Sequence, residues 1–202
     1  MPEPSAFQVE MVIENLKSHR SPGIDQISAE LIKAWGRTIR SANRVIIICF
    51  WNKEKLPEEW KESIIVSIYK KGEKTDCSNY RGISLLTATY KILYNSLLSR
   101  LTPYAAEVIE DYQCGFRRNR STTDHKLCIC RLLEKKYNEP VHHFFIDFKN
   151  AYDSGRREVS YNILIEFGIP MKLVRLIKTC LTETHSRVRV SKNLTFFLLR
   201  MV

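Results

Sequence analysis

Apolar and polar positions along the chain follow two periods, and the period changes partway. Val9, Val12, Ile13 and Leu16 recur at i, i+3, i+4 and i+7 behind a Ser5/Gln8 capping box, so the spacing predicts a first helix. The segment His19 to Gly23 breaks it with Pro and Gly. Ser28 stands where a cap opens a short helix ending near Gly36. A third helix is predicted with Ile39, Ala42, Ile46, Cys49 and Phe50 on one face, before Pro57 interrupts. The period then drops to two. Ser63 to Tyr69 is short and β-branched, Lys70 to Asn79 is a polar loop, and Tyr80 to Leu86 reads as the return strand of a hairpin. Thr89 to Leu101 is helical again, with Tyr90, Ile92, Leu93, Leu97, Leu98 and Leu101 apolar. Ser121 and Asp124 form a second capping box, for a helix to about Tyr137.

Val141 to Phe148 is the clearest strand by composition, and period two puts Asp147 on one face with Phe145 and His143. A helix is predicted over Arg157 to Phe167, with Gly168 at its C-terminal cap and Pro170 just beyond. Pro170 also starts a helix with Leu173, Leu176, Ile177, Cys180 and Leu181 in one stripe, and Arg187 to Val190 alternates as a strand. No repeat or flexible linker interrupts this order. It is α+β rather than regular βαβ alternation, with few strands for a compact sheet.

Composition narrows the classes. Two hundred and two residues, 44% hydrophobic and 27% charged, suit one globular domain or little more and argue against disorder. The longest apolar run, Val45 to Trp51, is seven residues, far short of the ~20 that a membrane helix needs. The opening residues MPEPSAFQVE lack a basic and an apolar region of secretory type, so the expectation is an intracellular protein, nuclear or cytoplasmic, without a membrane partner. The six cysteines make no C-x-x-C pair, and as scattered thiols they read as small apolar residues.

Charge adds more. The net charge is +10, and residues 112–136 carry seven basic side chains against two acidic ones. A surplus of that size favours polyanions.

Four groups carry candidate chemistry. Asp147, near the end of an aromatic segment, is costly to desolvate unless a cation meets it, whether a metal ion or Lys149; capping the next helix is a further alternative. Asp153 reads as a helix cap. Lys70 and Arg81 lie eleven residues apart across the hairpin loop, so paired strands bring both toward one anionic group, or leave them as a solvated basic loop. Gln113 to Arg120 mixes Phe116 with Arg117, Arg118 and Arg120 before a helix N-terminus, a polyanion site or a charged connection. The histidines form no spaced metal set. No phosphate loop, G-x-G-x-x-G or Ser-His-Asp order appears, which leaves hydrolase and nucleotide-kinase readings without support.

Taken in order, several blocks resemble the reverse transcriptase domain of LINE-type, non-long-terminal-repeat retrotransposons. They are Ser21-Pro-Gly-Ile-Asp25 with Ala29-Glu-Leu31, Leu56 to Ile65, Tyr69-Lys-Lys-Gly72, Asn79 to Leu86, Gln113 to Asp124 and Phe145 to Ser154. The resemblance implies the fingers and partial palm of a right-hand polymerase with an incomplete palm sheet. Residues 1–60 would be the helical part of the fingers, 61–140 the fingers hairpin and helices, and 141–202 the partial palm. It implies Asp147 as catalytic metal ligand for Mg2+, with the carbonyl of Phe148 also a ligand. Tyr152 resembles the gate against a ribose 2′-OH. Lys70 and Arg81 resemble residues that hold the incoming deoxynucleotide. Gln113, Phe116, Arg117, Arg118 and Arg120 resemble the lining of the path of RNA template and DNA primer.

Some features depart from that pattern. No Asp-Asp pair occurs in the chain, so the family's Tyr-x-Asp-Asp block is missing; Gly155 stands where relatives commonly carry an aliphatic residue; and from Leu194 onward the pattern is expected to end. Two-metal transfer holds two divalent ions about 3.5–4 Å apart, and one carboxylate cannot offset their repulsion. The expectation is therefore a reverse transcriptase-like fragment, inactive alone. The alternatives are a non-catalytic basic nucleic-acid-binding protein and a non-functional retrotransposon remnant.

Overall fold

The structure is a computed structural model and describes residues 1–117, 119–137, 139–148, 155–190 and 193–200. Seven helices and four strands are formed by the described residues. In chain order they are α1 (Ala6–Glu14), α2 (Ala29–Ala34), α3 (Arg37–Lys53), β1 (Glu62–Tyr69), β2 (Tyr80–Leu85), α4 (Ala88–Val108), α5 (Thr122–Lys135), α6 (Arg157–Glu166), α7 (Met171–Thr182), β3 (His185–Val190) and β4 (Asn193–Arg200). The α+β class expected from the element order holds.

Local signals place most of these ends. The Ser5–Gln8 capping box closes the start of α1, and the Ser28 hydroxyl accepts from the Leu31 amide at the start of α2. Gly168, just past α6, takes the left-handed conformation at φ +72° that favours glycine. α4 runs seven residues past its expected end, to Val108, and carries Pro103 within it.

One apolar core joins the helices. Val9, Ile13, Ile32, Ile47, Phe50, Trp51, Ile92, Leu93, Leu173 and Leu176 are its fully buried members, each contributing about 1.5–3 kcal/mol on burial. The buried side of α3 differs from the expected one. Asn43, Ile47, Phe50 and Trp51 face inward, while Ile39, Ile46 and Cys49 are exposed. Apolar residues surround this helix from Val45 to Trp51, so periodicity alone selects no face. Trp51 decides it, filling the core beneath the Arg100 guanidinium, which lies 4.6 Å from the ring centre. Asn43 is tolerated inside because its amide donates to the Ile39 carbonyl at 3.0 Å.

The sheet has strand order β2-β1-β3-β4. β1 pairs antiparallel with β2 and parallel with β3, and β3 pairs antiparallel with β4. The base of the β1–β3 pair is dry: the Ser63 and Ser186 hydroxyls share a buried hydrogen bond of 2.7 Å. β4 was not expected from the sequence. Conversely, residues 141–148, read as the clearest strand, lie outside helix and strand. Strand-forming composition requires a ladder partner, and none meets this segment among the described residues; Phe144 is 88% and Phe145 79% exposed. Only the period-two feature survives, with the rings of His143 and Phe145 stacked 6.1 Å apart.

Two joints tie the elements together. Gly23, in the Pro-Gly break after α1, presses on the turn between β2 and α4. A Cβ there would lie 2.5 Å from the Thr87 nitrogen and 2.6 Å from the Leu86 carbonyl carbon. Backbone cannot yield to it, so Gly23→Ala is expected to cost about 1–3 kcal/mol in urea denaturation. Gly36→Ala, with nothing within 4 Å, stays within about 0.5 kcal/mol.

The second joint is Glu54, which ends α3 in the left-handed region at φ 53°. Its carboxylate binds Lys172 at 2.8 Å and the Arg175 guanidinium at 2.9 and 3.1 Å on α7. Hydrogen bonds from Arg175 and then Lys172 lower its pKa to about 2. The folded value lies below the unfolded one, so this stabilisation is complete above about pH 4.5 and is lost as pH falls toward 2. Arg175 is half exposed, which limits the magnitude. Glu54→Gln is expected to lower stability by about 1 kcal/mol at pH 7, with the difference from the parent vanishing near pH 2 in urea titrations.

Candidate nucleic-acid interface

The hairpin is built to hold its tip still. Arg81 faces Ile68 and Tyr80 faces Tyr69 across the β1–β2 ladder, and the Lys70 amide donates to the Asn79 carbonyl at 2.8 Å. Gly72 takes φ +98° with the Asn79 side chain pressed against it, at 2.6 Å from where a Cβ would stand. Asn79 donates to the Glu73 carbonyl at 2.9 Å, and the Tyr80 hydroxyl to the Lys74 carbonyl at 2.8 Å. The Tyr69 hydroxyl reaches the Gly72 carbonyl, and its ring meets Tyr80 edge-on at 5.6 Å. Asp76 closes the last turn by accepting from the Ser78 amide at 2.8 Å.

Alternation along β1 puts Glu62, Ile64, Val66, Ile68 and Lys70 on one sheet face. The register adds Arg81, Ile83 and Leu85 from β2, and His185, Arg187 and Arg189 from β3. Lys70 and Arg81 are therefore diagonal neighbours on the same face. Both are exposed, and among the described residues neither side chain has an acidic partner. Arg187 forms an ion pair with Glu62 near the base of this face. Exposure rises toward the tip, where Ile68 and Ile83 are 47% and 43% exposed.

The described residues of the Gln113 to Arg120 block are largely tied to one another and to neighbouring residues. Arg117 donates to the Glu110 carbonyl at 2.9 Å, and both Arg117 and Arg120 meet Asp111, at 3.5 and 2.9 Å. Gln113 donates to the Gly115 carbonyl at 3.1 Å. Phe116 and Asn119 occupy the left-handed region at φ 58° and 59°, and the Phe116 ring is fully exposed. Gln113, Phe116 and Arg117 line one side of a cleft of about 520 Å³ whose other wall is Leu98, Leu101 and Ala105 of α4. The N-terminus of α5 is already served by a carboxylate: Asp124 accepts from the Ser121 amide at 2.7 Å. An incoming phosphate would compete with it. Arg118 lies outside the described residues.

Asp147 is exposed, as is Phe148. Lys149, Tyr152 and Asp153 lie outside the described residues, so the ion pair or cap they offered does too. Among the described residues no three His, Cys, Asp or Glu side chains come together. The cysteines divide: Cys114 is buried and the Cys180 thiol is pushed up to about 12 by burial, as small apolar residues would be. Cys49, Cys77, Cys128 and Cys130 are exposed, which corrects that reading for four of the six. No helix among the described residues is long and apolar enough to cross a membrane.

Residues 68–200 match the family described as Reverse transcriptase (RNA-dependent DNA polymerase). The match continues through β4, so the pattern does not end at Leu194 as expected. Curated relatives agree. The 115 kDa protein of the type-1 retrotransposable element R1DM of Drosophila melanogaster is 30% identical over 83% of this chain and 16% of its own length. The protein of transposon BS from the same fly, named as a probable RNA-directed DNA polymerase, is 30% identical over 73% of this chain and 17% of its own. The retrovirus-related Pol polyprotein of the type-1 element R1 of Bradysia coprophila is 29% identical over 76% of this chain and 16% of its own. The chain thus spans about a sixth of the length of these relatives. By this match the chain belongs to the reverse transcriptase family, in its non-long-terminal-repeat retrotransposon branch.

Proposed function

We propose that the chain forms the fingers and the first part of the palm of a right-hand polymerase that copies RNA into DNA. The observation that best supports this is the hairpin register, which sets Lys70 and Arg81 as diagonal neighbours at a braced tip. In this reading they grip the triphosphate of the incoming deoxynucleotide, Arg81 through its planar fork and Lys70 as a point charge. Gln113, Phe116, Arg117, Arg118 and Arg120 line the path of template and primer, and Tyr152 stands against a ribose 2′-hydroxyl. The family's reaction joins a primer 3′-hydroxyl to the α-phosphate and releases pyrophosphate.

The metal part of the reading is weaker. Magnesium requires several hard oxygen donors close together. Among the described residues Asp147 stands exposed with no such group around it, so the described donors do not fit a pair of ions. Asp147 and the Phe148 carbonyl could serve as ligands only beside further carboxylates. A second reading, a non-catalytic RNA binder, draws on the same two observations: exposed cations at the hairpin tip and, among the described residues, no cluster of acids around Asp147.

Purified chain is accordingly expected to extend no primer with magnesium or manganese. Deoxynucleotide incorporation that disappears in Asp147→Ala would overturn that expectation. Combined replacement of Lys70 and Arg81 by Ala is expected to weaken deoxynucleoside triphosphate binding about tenfold or more, measured by equilibrium dialysis, given about 1.5–3 kcal/mol for a charged hydrogen bond. Equal binding by parent and double variant would remove the hairpin from the site.

A further inference from the structure

Several cations of the helical body have an acidic neighbour in reach. Arg40 meets Glu10 and Glu14, Lys172 and Arg175 meet Glu54, Lys61 meets Glu58 and Glu183, and Arg117 and Arg120 meet Asp111. The sheet face that carries Lys70 and Arg81 holds few acids. Its one acid among the described residues, Glu62, lies at the base and is taken by Arg187. Arg189 lies one step further toward the tip, opposite Val66, which itself faces Ile83 of β2. Among the described residues the Arg189 side chain has no acidic partner.

Neighbouring strands lie about 4.8 Å apart and residues rise about 3.3 Å along them, so Arg189 stands ~12 Å from Arg81, two strands over and two residues down. One triphosphate held between Lys70 and Arg81 does not reach that far. A polynucleotide does, since it carries one phosphate per nucleotide along its whole length. Between the two cationic points run Val66, Ile68 and Ile83, aliphatic and part-exposed, which suit sugar and base faces rather than further phosphates. This surface has alternating charged and apolar ground at polynucleotide scale.

We propose that Arg189 seats the sugar–phosphate backbone of an RNA strand on this sheet face, with Val66, Ile68 and Ile83 as the floor between that contact and the nucleotide grip. The inference rests on the hairpin's assignment as the nucleotide-facing element and extends it to a residue in no recognised block. The test is binding of a labelled 20-nucleotide single-stranded RNA of mixed sequence by the full chain across 50–300 mM salt. Loss of one phosphate contact lowers the slope of log affinity against log salt by about 0.7, or about fivefold in affinity at 0.1 M. Arg189→Gln is expected to show that loss, and Arg189→Lys, which keeps the charge, to restore most of it. An unchanged slope in Arg189→Gln while the parent binds RNA overturns this inference alone. Equal loss in the Gln and Lys variants marks a structural role and also overturns it. Tighter, Arg189-dependent binding of a DNA duplex of the same length overturns the choice of RNA. If the parent binds no RNA at any salt, the underlying functional reading falls with it.

Discussion

β1 is the strand on which the rest depends, because it is paired along both edges, to its hairpin partner on one side and to a strand more than a hundred residues further along the chain on the other. Its antiparallel edge holds β2 and its parallel edge holds β3. The parallel pairing is fixed at its base by the buried Ser63–Ser186 hydrogen bond, the Glu62–Arg187 ion pair and the His185 amide on the Lys61 carbonyl at 2.8 Å. An unpaired hydroxyl in that dry place would cost about 1–3 kcal/mol, so the two serines specify register as well as strength. A slip by one residue would turn Lys70, Arg81, Arg187 and Arg189 from a shared face to opposite ones.

That register organises the charge. A chain with ten more basic than acidic residues must put its surplus somewhere. Here the sheet face gathers Lys70, Arg81 and Arg189 without an acidic partner among the described residues, while Glu62 at its base is taken by Arg187. The arrangement favours long-range attraction of a polyanion at the sheet. The Gln113 to Arg120 loop, the densest basic run in the sequence, is by contrast partly neutralised by Asp111. Density along the sequence and available charge in space are different quantities.

What the sequence revealed follows the same division. Elements specified by local chemistry were legible: the two capping boxes, the Pro-Gly break, the hairpin with its polar loop and the Gly168 stop. Features decided by distant partners were not. The buried face of α3 depends on where Trp51 and Phe50 find the core, and a helix apolar on several sides gives no periodic clue to that. Residues 141–148 have strand composition, but composition cannot supply a ladder. β4 went unread because its pairing with β3 lies in the backbone rather than in any motif. For the site, the spacing of Lys70 and Arg81 across a loop offered a shared anion site only as one of two alternatives, and the register is what puts them on one face. Arg189 was visible only as one member of an alternating Arg-Val run, and its neighbours become apparent only once β3 is laid beside β1.

The parallel β1–β3 pairing also governs how the fold can be reached. Ser63 and Ser186 are 123 residues apart in sequence, so on a ribosome the hairpin emerges long before its other neighbour exists. Until then one edge of β1 offers unmet backbone groups to any passing strand. Closing so long a loop is slow compared with forming a helix or hairpin. The nascent chain thus passes through an interval of vulnerability to misassociation whose length is set by synthesis speed.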